Sequence, residues 1–329
     1  MTMQALIEAF PDHIHESLNI AEEQALSIPN KAYTEIMISG LGGSGIGATI
    51  VSNWAAAHAS LPVIVNKEYR IPAFVGPNTF FIASSYSGNT EETLQAVQEA
   101  HKAGATVVCI TSGGKLAELA KAHGWGLRTI PGGNPPRACL GYSLTQLVTI
   151  FVQQGWLPSN YMGVLKNAAN RLKESQTQVS QKAQEIAARL DGTLPVIYAE
   201  TLSEGIAVRF RQQINENAKM LCWHHIVPEM NHNEMVGWAD KHPEILVVSL
   251  RNPSDFKRNR LRMDIAEGIF KQREAQTLSI ESSSEHPVEQ ALEHIHLGDW
   301  VSLHLARLRG ADEMEVHVID FLKGELSKH

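Results

Sequence analysis

Cysteine is scarce in this chain. Only Cys109, Cys139 and Cys222 occur in 329 residues, none in a C-x-x-C pair. An odd number without that spacing, in apolar or mixed surroundings, fits buried thiols in a reducing cytosol better than a disulfide framework. Long apolar runs are missing as well: none approaches the roughly 20 residues that cross a bilayer. The opening MTMQALIEAFPDHIHESL is amphipathic and acidic, with no basic leader and no signal-peptide core, which places the expected location in the cytoplasm. No basic block stands out. Lys and Arg number 28 against 35 Asp and Glu, a net charge of −7, which argues against nucleic acid as a partner. An anionic ligand would have to be drawn in by local geometry. Three nucleotide and hydrolase signatures also fail. There is no G-x-x-x-x-G-K-[ST], and GGSG at 42–45 is not G-x-S-x-G. GLGGSGIG comes close to G-x-G-x-x-G, but no acidic residue stands at a strand end about 20 positions on; Glu68 is the nearest.

What is present suits a globular chain of two domains at roughly 100–200 residues each. Hydrophobic residues make up 43% and charged residues 19%. In the first half, short β-branched or apolar runs (EIMISG 35–40, PVIVN 62–66, NTFFIASS 78–85, ATVVCITS 105–112) alternate with helical patterns. Those patterns begin near Ser44, run from Thr90 to Lys102, and cover 115–123. This alternation predicts βαβ units around a parallel sheet. A loop at 134–139 leads into an apolar helix ending near Gly155, and residues 160–190 read as one long polar helix linking two halves. A second set follows: strands at 194–200, 220–226, 245–250 and 275–280, helices at 203–218 and 255–273, then helices at 288–309 and 315–326. The predicted organisation is a first domain at 1–155 with a leading helix, a linking helix at 156–190, and a second domain at 191–329. The halves share an element order but little sequence.

Ligands of parallel α/β sheets bind beyond the carboxyl ends of strands, at helix N-termini. GLGGSG (40–45), SSYSGNTEET (84–93) and TSGGKL (111–116) each follow a strand and open a helix. Unsatisfied N–H groups and the helix dipole favour an anion there. Ser and Thr add neutral donors, and Gly88 permits close backbone approach. Ser87, Asn89 and Thr90 also suit a helix cap completed by Glu92 or Thr93. Capping needs a single hydroxyl, however, and Ser84, Ser85, Ser87 and Thr90 crowd one turn. A dianionic phosphoryl group is the expected guest.

The set GLGGSG, SYSGNTEETL, TSGGKLAE and NPPRACLGY, in that order, resembles the sugar isomerase (SIS) superfamily, and within it the bifunctional phosphoglucose/phosphomannose isomerases. FRQQINENAKM (210–220), PEMNHNEMVGW (228–238), LEHIHLGDWVSLHLARLRG (292–310) and VIDFLKGEL (318–326) extend the resemblance over nearly the whole chain. It implies an α/β fold of two SIS domains, each a parallel five-stranded sheet flanked by helices. It also implies a homodimer with shared active sites, and interconversion of glucose 6-phosphate or mannose 6-phosphate with fructose 6-phosphate without a cofactor. By the same resemblance, Ser85, Ser87, Gly88, Asn89 and Thr90 hold the phosphate, and Gly43 and Ser44 line its pocket. Glu216 is the catalytic base, Arg137 stands beside the intermediate, and His232 opens the ring from the neighbouring subunit. Lys323 lies near the ring oxygen. GADEMEV (310–316) departs from the family pattern: Met314 stands where a threonine is implied to leave room for either epimer at C2, so the resemblance supports the glucose substrate more firmly than the mannose one.

The chemistry suits these residue types. Moving a carbonyl between C1 and C2 needs one carboxylate able to take a proton from carbon and return it to the neighbouring carbon. A developing enediolate needs a fixed positive charge, which an arginine supplies at any relevant pH. Ring opening suits an imidazole titrating near neutrality. His224, His225 and His232 raise a metal option, but adjacent histidines on a strand face opposite ways and no ligating Cys or carboxylate accompanies them. No metal is expected. Two alternatives remain open: another SIS phosphosugar isomerase or amino-sugar enzyme, and a non-catalytic phosphosugar-binding regulator. For the regulator, a leading segment of about 30 residues is too short and acidic to be the usual DNA-binding domain.

Overall fold

The computed structural model describes residues 1–328. Two short helices lead in, α1 (Met3–Glu8) and α2 (Phe10–Glu23). The first α/β unit contains β1 (Glu35–Ser39), α3 (Gly42–Ala55), β2 (Val63–Asn66), β3 (Thr79–Ser84), α4 (Glu91–Lys102), β4 (Thr106–Thr111), α5 (Gly114–His123) and β5 (Gly126–Thr129). A 3-10 turn (Pro136–Ala138) precedes α6 (Leu140–Gln153), and α7 (Asn160–Leu190) crosses to the second unit. That unit contains β6 (Leu194–Glu200), α8 (Glu204–Ala218), β7 (Trp223–Val227), α9 (Glu234–Gly237), β8 (Ile245–Arg251), α10 (Lys257–Gln272) and β9 (Gln276–Glu281). The chain ends in α11 (Pro287–Leu308) and α12 (His317–Leu326).

The sheets run β2-β1-β3-β4-β5 and β7-β6-β8-β9, and every pairing is parallel. The α/β reading with two flanked parallel sheets holds, and the winding order repeats between the halves. Among the described residues the second sheet has four strands, not five. Where the first half returns from α5 as β5, the second half runs from β9 into the 22-residue α11. Its residues are apolar at helical spacing and fill the layer between the sheets, so no fifth strand follows. In the first sheet, β5 reads GLRT and carries little strand propensity of its own. It is held by pairing with β4 and by Arg128, which is buried and donates to the C-terminal carbonyls of α2 at Ile20 and Ala21 (3.2 and 2.6 Å).

Strand side chains alternate between faces with period two. Ile36, Phe80 and Ile82 enter the central core, whereas Met37, Phe81 and Ala83 pack beneath α4 and α5. Likewise Ile197 and Val248 face the centre, while Val196, Tyr198 and Val247 face α10. The result is five layers: α4 and α5, the first sheet, a shared helical layer, the second sheet, and α10. The shared layer holds α2, α3, α6, α7, α8 and α11, so one continuous core joins the halves. The long α7 is polar by composition, yet Tyr161, Leu165, Ala168, Ala169 and Leu172, then Ala183, Ile186, Ala187 and Leu190, form a stripe at spacings of three and four that packs on α11.

Two histidines of α11, His294 and His296, are buried, and burial pushes the pKa of each down to about 4. In the unfolded chain they titrate near 6.5. Folding therefore excludes protons that the unfolded chain binds, and this contribution, complete above about pH 6.5, is lost as pH falls toward 4. Each histidine contributes a slope of about 1.4 kcal/mol per pH unit over that interval. Urea unfolding at about pH 7 and about pH 5 should show the protein markedly weaker at the lower value; equal stability at both would show that these imidazoles are not held neutral.

Candidate active site

Three helix N-termini meet at the carboxyl end of the first sheet, and they differ. α3 opens after Leu41 and α4 after Thr90, and neither has a side-chain cap. Their first N–H groups have no side-chain acceptor, and the positive ends of two dipoles stand there. The N-terminus of α5 is instead closed by the hydroxyl-rich turn: Lys115 N donates to Asn89 Oδ1 (3.1 Å) and Leu116 N to Gly88 O (2.9 Å). TSGGKL is thus a brace for SSYSGNT. Ser112 reinforces it, donating from N and Oγ to Tyr86 O (2.9 and 2.7 Å).

Within the turn, none of the capping candidates caps α4. Thr90 Oγ1 lies 2.8 Å from Ser85 Oγ, and Ser87 Oγ accepts from Asn89 N (3.3 Å). Gly88 has φ +68° and closes the turn through its N–H to Ser85 O. A Cβ there would lie 1.8 Å from Gly113 O, so the brace leaves no room for any other residue. Ser44 reaches across from α3, its Oγ accepting from Tyr86 N (3.1 Å).

Gly43, the neighbour of Ser44, joins this turn to a second cluster. A Cβ at Gly43 would meet Pro136 O at 2.9 Å and Arg137 Cα at 3.5 Å, so the α3 turn lies directly on the backbone of Arg137. The Arg137 guanidinium is 5% exposed and uses every arm: Nε donates to Asn217 Oδ1 (2.7 Å), Nη1 faces Glu216 Oε2 (3.5 Å), and Nη2 donates to Glu313 O (2.6 Å) and Met314 O (3.3 Å). Burial lowers its pKa, and the Glu216 carboxylate opposes that shift. Glu216, with its side chain 30% exposed, stands in the last turn of α8. The helix stops at Lys219, whose backbone is left-handed (φ 53°) and whose Nζ donates to Glu216 O (2.5 Å) and Glu315 O (2.6 Å). Arg137 and Lys219 therefore clamp three successive carbonyls, at 313–315, ahead of α12. Met314 contributes its carbonyl to the arginine, so its departure in side chain leaves that contact unchanged.

The structure brings Gly43, Ser44, Ser85, Ser87, Gly88, Asn89 and Thr90 into one turn cluster and sets Arg137 and Glu216 beside it. No hydrogen bond ties His232 or Lys323 to them among the described residues. His232 is exposed on a 3-10 turn after β7, and Lys323 is exposed on α12; among the described residues neither side chain makes a hydrogen bond. His224 and His225 pair with Ile197 and Tyr198, which face opposite cores, as strand geometry requires. Among the described residues no group of three or more His, Cys, Asp or Glu is placed to hold a metal ion. All three cysteines are buried and free. Sequence reasoning missed Asn217 and Lys219, although both lie in the INENAK block; only pairing across 80 residues reveals what Asn217 holds.

Two parallel sheets enclosing a shared helical layer, with a hydroxyl-rich turn at one sheet end and a carboxylate–guanidinium pair beside it, make the arrangement of a double-SIS protein. Residues 31–130 match the family described as SIS domain, and residues 179–326 the one described as Bacterial phospho-glucose isomerase C-terminal SIS domain. The chain is 37% identical over 328 residues to a bifunctional phosphoglucose/phosphomannose isomerase of Caldicellulosiruptor bescii, covering 97% of both chains. It is 36% identical over 227 residues to a D-glucosamine-6-phosphate 4-epimerase of Sulfolobus acidocaldarius, covering 68% of this chain and 71% of that one. Among solved structures, the C-terminal domain of glucosamine-fructose-6-phosphate aminotransferase from Francisella tularensis superposes with a TM-score of 0.77 at 16% identity, over 95% of this chain and 98% of that one, a likeness of fold. The chain belongs to the bifunctional phosphoglucose/phosphomannose isomerase family, and it is an isomerase.

Proposed function

We propose that this chain interconverts glucose 6-phosphate and mannose 6-phosphate with fructose 6-phosphate, through ring opening and a cis-enediolate. The observation that carries the reading is the Glu216–Arg137 pair at 3.5 Å, tied through Gly43 and Ser44 to a hydroxyl-lined turn with two uncapped helix N-termini. Ser85, Ser87, Gly88, Asn89, Thr90 and Ser44 hold the C6 phosphate as an anchor, and its binding energy places C1 and C2 beside Glu216. Glu216 carries the proton between the two carbons, and Arg137 stabilises the enediolate oxygens. The reaction moves protons within one molecule, so its chemistry calls for no cofactor.

Lys323 stands near the ring oxygen, and His232 reaches substrate from the neighbouring subunit in an assembly of two copies. The support is α12: it buries none of its own residues, and Val318 (82% exposed), Phe321 (68%) and Leu322 stand on one open face. A second copy covering that face brings His232 of each subunit to the site of the other. Buried free thiols fit a reducing cytoplasm.

Fructose 6-phosphate incubated with the purified protein and a chelator should give glucose 6-phosphate, read by a coupled dehydrogenase. No product would sink the reading. The epimerase relative favours one rival, an amino-sugar activity, and turnover of glucosamine 6-phosphate in place of fructose 6-phosphate would install it. The ratio of kcat/KM for the two aldose phosphates reads the consequence of Met314.

Gly88→Ala tests the anchor. The added methyl must displace the Gly113 carbonyl, and φ +68° disfavours any side chain. Fructose 6-phosphate affinity by calorimetric titration should fall by roughly tenfold or more, about 1.4 kcal/mol. Unchanged affinity would remove the phosphate from this turn.

A further inference from the structure

The LGDWVSLH block at 297–304 lies on α11, away from the substrate groups above, yet its polar residues are wired to both ends of Arg137. Asp299 is 3% exposed. Its Oδ2 accepts from Arg209 Nη2 (2.6 Å) and its Oδ1 from Gln213 Nε2 (2.9 Å). The same Arg209 Nη2 donates to the main-chain carbonyl of Arg137 (3.0 Å). On the other side, Asp299 O accepts from Ser302 Oγ (2.7 Å), Ser302 Oγ accepts from Asn217 Nδ2 (2.9 Å), and Asn217 Oδ1 accepts from Arg137 Nε (2.7 Å). The hydrogen bonds close a ring: Asp299 to Arg209 to the Arg137 backbone, out along the Arg137 side chain, and back through Asn217 and Ser302.

Helix geometry makes the ring possible. Arg209, Gln213 and Asn217 are spaced by four on α8 and share one face, while Asp299 and Ser302 are spaced by three on α11. The two faces meet in the closed interior, and all five residues are buried. Stability alone does not account for them. A buried ion pair recovers through its partner roughly what desolvation costs, and apolar side chains of similar volume would join α8 to α11 at least as well. What apolar residues would not provide is a fixed direction for Arg137.

We propose that Asp299 is a positioning residue of the isomerase site. With Ser302, it holds Arg137 at its carbonyl and at its Nε, so that Nη1 can point only toward Glu216 and the substrate. The ring sets one orientation of the guanidinium before substrate arrives, and no reorganisation is then needed as charge develops on the enediolate. The inference rests on the isomerase reading of Arg137.

A double-mutant cycle in the full-length protein tests it, with kcat and KM for fructose 6-phosphate measured on Asp299→Asn, Arg137→Lys and the double variant. Asp299→Asn keeps the shape but loses the charge that holds Arg209. We expect its kcat per folded protomer to fall by roughly 30–100-fold while KM changes by less than about threefold. In the Arg137→Lys background the same change should cost at most about threefold, because the group it positions is already gone. A purely structural role predicts equal losses in both backgrounds, in step with a lowered Tm, and that result overturns the proposal. Ser302→Ala carries the same cycle from the other arm if Asp299→Asn does not fold, with the same expectation. A wild type that turns over while the losses add sinks only the positioning role; a wild type inactive on fructose 6-phosphate sinks the isomerase reading, and this inference with it.

Discussion

Glu216→Gln should lower kcat for fructose 6-phosphate isomerisation by roughly 10²–10⁴-fold, the contribution of a placed general base. Phosphosugar affinity should stay within a factor of about three. The amide keeps the shape and the contact with Arg137 Nη1 but cannot accept a proton from carbon. On the proposed reading affinity comes from the turn at 84–90 and Ser44, and none of the hydrogen bonds within that turn involves Glu216. Retained turnover would move the base elsewhere. The same variant tests the shared site. Mixed with His232→Ala protomers, it should regain a fraction of activity, because a mixed dimer holds one site with both Glu216 and His232 intact. No recovery in verified mixed dimers would return His232 to its own chain.

Arg137→Lys should raise the barrier by about 3–4 kcal/mol, or roughly 10²–10³-fold in kcat, although the charge is kept. The reason is the number of directed bonds. Nε is held by Asn217, Nη1 faces Glu216, and Nη2 grips the carbonyls of Glu313 and Met314. A lysine ammonium is a point charge on a flexible stem and cannot serve three directions 120° apart. It also releases the 313–315 segment, leaving Lys219 as its remaining cationic clamp. A loss confined to KM would show that Arg137 binds the ground state and transition state equally.

Much of this was legible in the residues. The alternation of β-branched runs and helical patterns located eight of the nine strands among the described residues, because a buried parallel sheet needs continuous apolar runs and its crossovers need amphipathic ones. The exception, β5, is four residues with a glycine and a buried arginine; its stability comes from β4 and the end of α2. The strand at 220–226 begins only at Trp223, since Lys219 turns the chain in a left-handed conformation before the edge strand can pair. The hydroxyl-rich turn was readable for a related reason: Gly, Ser and Thr gathered between an apolar run and a helical pattern mark a strand-to-helix junction locally. Arg137 and Glu216 were not readable that way. A lone arginine after two prolines and a glutamate on a helix acquire meaning only together, and 79 residues separate them. The family resemblance, not local pattern, singled them out.

By itself, then, the sequence determined the class of elements, the parallel sheets and the gathering of Gly, Ser and Thr at strand-to-helix junctions, because those properties depend on neighbours within a few residues. Only the tertiary structure decided which helix N-termini stay open, since α5 is closed by Asn89 and Gly88 from another loop. It alone decided that the second sheet stops at four strands, because α11 is more stable filling the shared core than the chain would be at a sheet edge. And it alone decided the aim of Arg137, which depends on five buried groups from two helices that meet only when the two halves close on one another.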